Sequence, residues 1–355
     1  MIFCSLCTRD PPRMSLMPRS GPDSENRQEP PRAVQLSHDL RLWACERLVT
    51  GPNRRQAARN LIASASSHGI DLDMLWGVVG NLQDPKATKV RQVCLAVLGA
   101  GRTAMLFHSS PEHQRALGTR ETQIQEISAC ISTCLEHLGQ TPERVGLAQS
   151  LIEPRQRWAR DACERAGMIF VGELAYMRKP IPSSGPATKP EPDWPEGITV
   201  RPVRSLERDA SQSDRELLIE ILEQSYIDTL DCPELCGMRS MEDVVDSHMA
   251  TGVFNPAHWL LILRDGRPAG CCLLSHCPAN HSVELVYLGI ASNARGMGLG
   301  RRVLDYGISR LQGLDAREIT CAVDTRNTPA IAVYESLGFQ RFDSRIGYVA
   351  PIPLR

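Results

Sequence analysis

Residues Ala294–Leu304 read ARGMGLGRRVL, with glycine at 296, 298 and 300 and an apolar periodicity beginning behind them. One glycine, or two, would supply the positive φ of a tight turn. Three at alternating positions describe a backbone that something approaches closely. Val283–Ile290 (VELVYLGI) before the loop has strand composition, and residues 298–311 after it have helical spacing. The loop therefore joins a strand to a helix N-terminus, where free N–H groups and the helix dipole favour an anion such as phosphate or pyrophosphate. A Walker loop is excluded, because Gly300 is followed by Arg301-Arg302 and not by Lys-Ser or Lys-Thr. A dinucleotide fingerprint is excluded by the GxGxG spacing and by the lack of a ribose-binding acid in a suitable βαβ unit. Taken alone, the loop fits an ordinary strand-to-helix turn as well as an anion cradle.

The flanking sequence extends the pattern. Ile198–Val203 reads as a strand, and Asp214–Tyr226 as a helix with Leu217, Leu218, Ile221 and Leu222 on one face. Met241–Ala250 reads as a second helix. Trp259–Leu263 and Ala269–Ser275 are strands about the turn Arg264-Asp265-Gly266-Arg267. Beyond the glycine loop come a strand over Glu318–Val323, a helix over Pro329–Leu337 and a last strand or pair over Phe339–Tyr348. The order β-α-α-β-β-β-α-β-α-β predicts a mixed sheet with helices on its faces.

The chain has 355 residues, 42% hydrophobic and 23% charged, which suits two ordinary globular domains. A net charge of −1 gives no general drive toward nucleic acid or an anionic membrane. No apolar run approaches the ~20 residues that span a bilayer. The 13 cysteines are scattered and odd in number, without the paired spacing of a zinc site. They are expected to be thiols in a reducing cytoplasm, with no metal.

Residues 1–35, rich in Pro, Arg, Ser and Asp, are expected to form a disordered tail. A Pro-rich linker over 181–196 divides the remainder into 36–180 and 197–355. The two parts end alike. With Gly167 set on Gly338, Ala159 meets Ala330 and Glu164 meets Glu335, and a one-residue gap brings Tyr176 to Tyr348. Both segments read as a helix closed by glycine and followed by a strand, which favours a duplicated domain. Fainter signals in the first half are a helix over Gln56–Ser67, a hairpin of Val93–Leu98 and Ala104–His108, a helix over Gln123–Leu138 and a strand over Val145–Leu151. Where the glycine loop should recur, residues 111–122 (PEHQRALGTRET) carry one glycine.

Arg295-Gly296-Met297-Gly298-Leu299-Gly300 resembles the R/Q-x-x-G-x-G/A pyrophosphate loop of the GNAT acyltransferases, the acetyl-CoA-dependent N-acetyltransferases. Asn327–Phe339 (NTPAIAVYESLGF) resembles the closing N-x-x-A-x-x-x-Y-x-x-x-G-F segment of the same superfamily, in the expected order and with a strand between. The resemblance covers 197–355 directly and 36–180 through the repeat. It implies an α/β (α+β mixed) fold of two tandem GNAT-like domains, each a mixed, largely antiparallel sheet flanked by helices, the first a degenerate copy. Mycothiol synthase shares that tandem layout.

The resemblance further implies a cytoplasmic enzyme that moves an acetyl group from acetyl-CoA to a primary amine of a small molecule or peptide, by direct attack in a ternary complex. The alternatives are a non-catalytic acyl-CoA-binding regulatory module and a mycothiol-synthase-like acetyltransferase. Leu288, Gly289 and Ile290 would hold the pantetheine arm through their backbone. The N–H groups of Arg295, Gly296, Met297, Gly298, Leu299 and Gly300, with Arg301 nearby, would take the pyrophosphate, and Asn327 would contact the cofactor. An alkyl ammonium, with pKa about 10.4, must lose a proton before attack. Glu284 stands where several members carry their catalytic glutamate, and simple alternation puts Glu284, Val286 and Leu288 on one face with Tyr287 on the other. As an ordinary strand residue, Glu284 would be solvated or ion-paired. Tyr334 matches the tyrosine that protonates the leaving thiolate, or else packs with Val333 and Leu337. The irregular stretch 226–239 would wall the acceptor site, with Tyr226, Asp231 and Glu234 as substrate contacts and Asp228 and Arg239 beside them.

Overall fold

A computed structural model describes residues 31–81, 83, 89–112, 117–141, 144–181 and 190–352. In the first half, β1 (Val34–Gln35) precedes α1 (Arg41–Leu48) and α2 (Arg54–Ser64). Then come β2 (Leu75–Val79), β3 (Val90–Gly99), β4 (Thr103–His108), α3 (Arg120–Leu138), β5 (Leu147–Ile152), α4 (Arg157–Arg165) and β6 (Ile169–Pro180). The second half repeats this order: β7 (Ile198–Pro202), α5 (Arg215–Tyr226), α6 (Met241–Met249), β8 (Trp259–Arg264), β9 (Arg267–Cys277), β10 (Ser282–Ile290), α7 (Leu299–Ser309), β11 (Glu318–Asp324), α8 (Thr328–Ser336) and β12 (Gln340–Pro351).

Side-chain caps explain several helix starts. Thr119 accepts from the N–H of Thr122 to open α3, Ser240 from that of Asp243 to open α6, and Asn327 from that of Ala330 to open α8.

All twelve strands form one sheet in the order β1-β2-β3-β4-β5-β12-β6-β11-β10-β9-β8-β7. The order is symmetric about its centre, because the two halves exchange their last strands. β6, which ends the first half, pairs antiparallel with β11, while β12, which ends the second, pairs antiparallel with β5. β6 and β12 then pair with each other. The linker therefore divides the chain but not the sheet.

The cores follow the exchange. The first-half core takes in Ile346, Tyr348, Ala350 and Ile352. The second-half core, beneath α7 and α8, takes in Ala175 and Met177 from β6. A separate cluster lies under α5 and α6 on the other face.

The second-half elements lie within a few residues of their expected positions. In the first half, β1, α1 and β2 carry no signal that the sequence reading used. Of the expected tail, residues 1–30 lie outside the described residues, and Val34–Gln35 is a strand paired with β2. Of the expected linker, residues 182–189 lie outside them too. The repeat also needs one correction. Pro180 stands opposite Glu318 and Pro351 opposite Leu147, so without any gap Tyr176 corresponds to Gly347 and not to Tyr348.

Candidate active site

β10 and β11 run parallel for three rungs, Ser282↔Glu318, Val283↔Ile319 and Glu284↔Thr320, and then separate. β10 keeps its pairing with β9 as far as Ile290↔Gly270. Between the diverging strands the backbone edge of residues 285–290 faces no partner strand. A cavity of about 560 Å³ fills the wedge. Leu285–Ile290 form one wall, Ala322 and Val323 of β11 with Pro329, Ala330, Val333 and Tyr334 of α8 the opposite one. The end of α5 and residues 228–231 close one side, and the glycine loop with Arg301 closes the other.

Expected site residues converge here, with exceptions. Leu288, Gly289, Ile290, Arg295, Gly296, Gly298, Leu299, Gly300, Arg301, Asn327, Asp231 and Tyr334 all line the cavity. Met297 instead packs against the core beneath α7. The Arg295 guanidinium is engaged by backbone carbonyls. It donates from Nε to the Ile290 carbonyl and from Nη2 to the carbonyls of Ser225 and Ile227, tying the C-terminal end of α5 to β10.

The loop glycines divide into two kinds. Gly296 and Gly298 sit at φ +79° and +71°, where a Cβ would be strained although it would meet open space. Gly300 has no such φ, and a Cβ there would meet only Ile290 Cγ1 at 3.8 Å. No protein neighbour requires glycine at 300, whereas a group lying against the first turn of α7 would. That helix begins at Gly298, which offers no side-chain cap, so its leading N–H groups remain available. The N-terminus of α7 thus offers the free donors and the open space that a diphosphate needs.

A bulge corrects the expected faces of β10. Its register shifts between Leu285 and Tyr287, leaving Val286 as the extra residue. Leu288 and Ile290 therefore join Val283 and Leu285 on the α7–α8 side, while Val286 and Tyr287 share the α5–α6 side. The Tyr287 hydroxyl and Ser225 Oγ share a 2.8 Å hydrogen bond, and the ring lies over Gly289, where a Cβ would come within 2.4 Å of Tyr287 Cε1.

Glu284 lies beside the cavity and not in its wall. It accepts a 2.8 Å hydrogen bond from Thr320 Oγ1, and burial raises its pKa against that bond. Tyr334 is buried, and burial holds its phenol pKa well above the usual value, so it carries its proton at neutral pH. Tyr226 is a core residue, 1% exposed and edge-on to Tyr287 at 5.6 Å, and does not line the cavity. Glu234 is occupied by Arg326, whose Nη1 and Nη2 reach its two oxygens at 2.6 and 2.7 Å. Asp228 is exposed at the mouth, at φ +53°. Arg239 reaches across to the first half, where it donates to the Gly101 carbonyl at 2.8 Å.

The sequence reading missed a clasp that fixes residues 231–234 to the β11–α8 junction. The Asp324 N–H donates to Asp231 Oδ1 at 2.9 Å, and the Cys232 N–H donates to Asp324 Oδ2 at 3.1 Å. Arg326 binds Asp324, Glu234 and, at 2.7 Å, the Val171 carbonyl of β6. No sequence signal marked it, because its partners lie about ninety residues apart. The described cysteines are unbridged, and all but Cys236 and Cys277 are buried. Among the described residues no group of three or more His, Cys, Asp or Glu could hold a metal, and no helix is long and apolar enough to cross a membrane.

Residues 221–339 match the acetyltransferase (GNAT) family. A mycothiol acetyltransferase of Thermomonospora curvata is 30% identical over 187 residues, 53% of this chain and 58% of that protein. One from Rhodococcus erythropolis is 32% identical over 51% of this chain and 58% of its own length. The matched stretch thus spans little more than half of these relatives. Among solved structures, a GCN5-related N-acetyltransferase of Sphaerobacter thermophilus is similar in fold, with a TM-score of 0.54 at 18% identity over 91% of this chain and 96% of that one. The second half of the chain is thus similar to the acetyltransferase (GNAT) family over residues 221–339.

Proposed function

We propose that the protein is an acetyl-CoA-dependent N-acyltransferase that acetylates a primary amine of a small molecule or peptide by direct attack in a ternary complex. The observation that carries this reading is the convergence of three features on one cavity: the open wedge between β10 and β11, the uncapped start of α7, and Tyr334. Acetyl-CoA supplies an acetyl group activated as a thioester. The backbone of Leu288–Ile290 lies along the wedge where a pantetheine arm would be held, and α7 would face the diphosphate. Tyr334 holds the proton that a leaving thiolate needs, and the attacking amine must give its own proton to a base. The relatives named mycothiol acetyltransferases favour, among amines, one related to mycothiol.

Isothermal titration of the full chain with acetyl-CoA, followed by thiol release across amines, amino acids, polyamines, aminoglycosides and peptide N-termini, tests the reading. Binding together with amine-dependent release is expected. Binding without release from any acceptor would favour an acyl-CoA-sensing module instead.

A further inference from the structure

We propose that Asp231 is the carboxylate that receives the proton of the acceptor's ammonium group; this inference rests on the acyltransfer reading. Only two carboxylates line the cavity among the described residues, Asp228 at its exposed mouth and Asp231 deeper in its wall. Asp231 keeps part of its surface open to the cavity while its carboxyl lies among protein atoms. Oδ1 accepts the Asp324 N–H, and the Asn327 side chain donates to the same carboxyl.

The nearby cation is engaged elsewhere. Arg326 binds Asp324 and Glu234, and among the described residues Asp231 has no ion pair of its own. A buried carboxylate without a cation is costly, and a protonated amine entering the cavity would supply the missing charge. Glu284 is differently placed, outside the cavity lining and bonded to Thr320.

The step balances. One ammonium N–H bond breaks and leaves its electron pair on nitrogen, an O–H bond forms on Asp231, and the acid returns its proton to solvent between turnovers. The groups that set the titration are Asp324 and Cys321 on β11, Arg326 at the junction, Cys232 on the same loop, and Asn327 and Tyr334 on or capping α8. Burial, reinforced by the Asp324 charge, raises the Asp231 pKa to about 6. A base so poised is mostly ionised at pH 7 yet still takes a proton.

Carboxyl ¹³C NMR of Asp-labelled protein provides a readout independent of turnover. One resonance, absent from Asp231→Asn, should titrate near pH 6, and millimolar n-butylamine should lower its midpoint while uncharged n-butanol should not. In thiol-release assays with the best amine of the panel, Asp231→Asn should lose about 100-fold in kcat/KM together with the acid limb of the pH profile. Asp231→Glu should restore part of both, and Glu284→Gln should keep the limb. Melting curves and acetyl-CoA titration of each variant establish that fold and cofactor site survive. A midpoint indifferent to butylamine, or an acid limb lost in Glu284→Gln and kept in Asp231→Asn, overturns the proposal. A midpoint that moves in a protein releasing no thiol would uphold the ammonium site and overturn the acyltransfer reading.

Discussion

The two halves of this chain share a topology and differ at several positions that line the second-half cavity. In both, a strand pairs in parallel with the next for three rungs before they part: β4 with β5 in the first half, β10 with β11 in the second. The third rung holds Met105 opposite Gln149 in the first half and Glu284 opposite Thr320 in the second. Gly167 and Gly338 align the following helices, so Cys163 stands where Tyr334 stands and Trp158 where Pro329 does. Pro329 lines an open cavity, whereas Trp158 is nearly buried, edge-on to His108 with ring centroids 5.5 Å apart. A scaffold of this kind tolerates duplication because its wedge needs only backbone geometry. The side chains decide whether the wedge is a site or a filled core.

The largest effect should come from Tyr334→Phe, which removes the proton donor but not the ring. Thiol release should fall about 1,000-fold with acetyl-CoA affinity unchanged, whereas Cys163→Ala in the other half should leave turnover alone. Equal losses from both substitutions would erase the functional asymmetry. Next, Trp158→Ala should cost about 3 kcal/mol of stability in a denaturant titration, because it empties a packed wedge. Calorimetry should still count one acetyl-CoA per chain; a second bound molecule would show that Trp158 alone had closed the first-half wedge.

A smaller contrast concerns glycine. Gly300→Val should weaken acetyl-CoA binding about 10-fold with little change in melting, since a Cβ there has room in the free protein. Gly118→Val, at φ +77° before α3, should cost about 1–2 kcal/mol of stability and no affinity. The smallest effect is the pH dependence that Asp231 contributes. The folded state raises the Asp231 pKa from 3.8 to about 6, so between those values it binds more protons than the unfolded chain and loses stability as pH rises. Relative to Asp231→Asn, the wild-type melting temperature should fall by a few degrees from about pH 4 to about pH 6 and then level off. A rise over that window would show that the carboxylate is stabilised and not strained by its surroundings.

Much of the second half was legible because its signals are local. Helix periodicity and the Asp265-Gly266 turn each act over a few residues, and the observed elements follow them. β2, with the sequence LWGVV, was invisible because its meaning lies in pairing with β1 and β3 and not in any alternation of its own. The faces of β10 were misread for a comparable reason. One extra residue at Val286 reverses the alternation beyond it, and nothing in VELVYLGI announces where a bulge will fall. Tyr226 and Glu234 were expected at the acceptor wall from the family resemblance, but the first is claimed by the core and the second by Arg326, two residues beyond β11.

What the sequence alone determined is the set of short motifs: the glycine loop, the Asn327–Phe339 segment and the repeat that joins the halves. Those depend on φ, on caps and on spacing within one or two turns, which a linear chain specifies by itself. Only the tertiary structure decided that the halves exchange their last strands, and that Asp231 lines the wedge with Tyr334 while Arg326, among the described residues, pairs with Asp324 and Glu234 instead. Both are outcomes of long-range competition, for strand edges in one case and for the single guanidinium of Arg326 in the other. No local pattern records who wins such a contest.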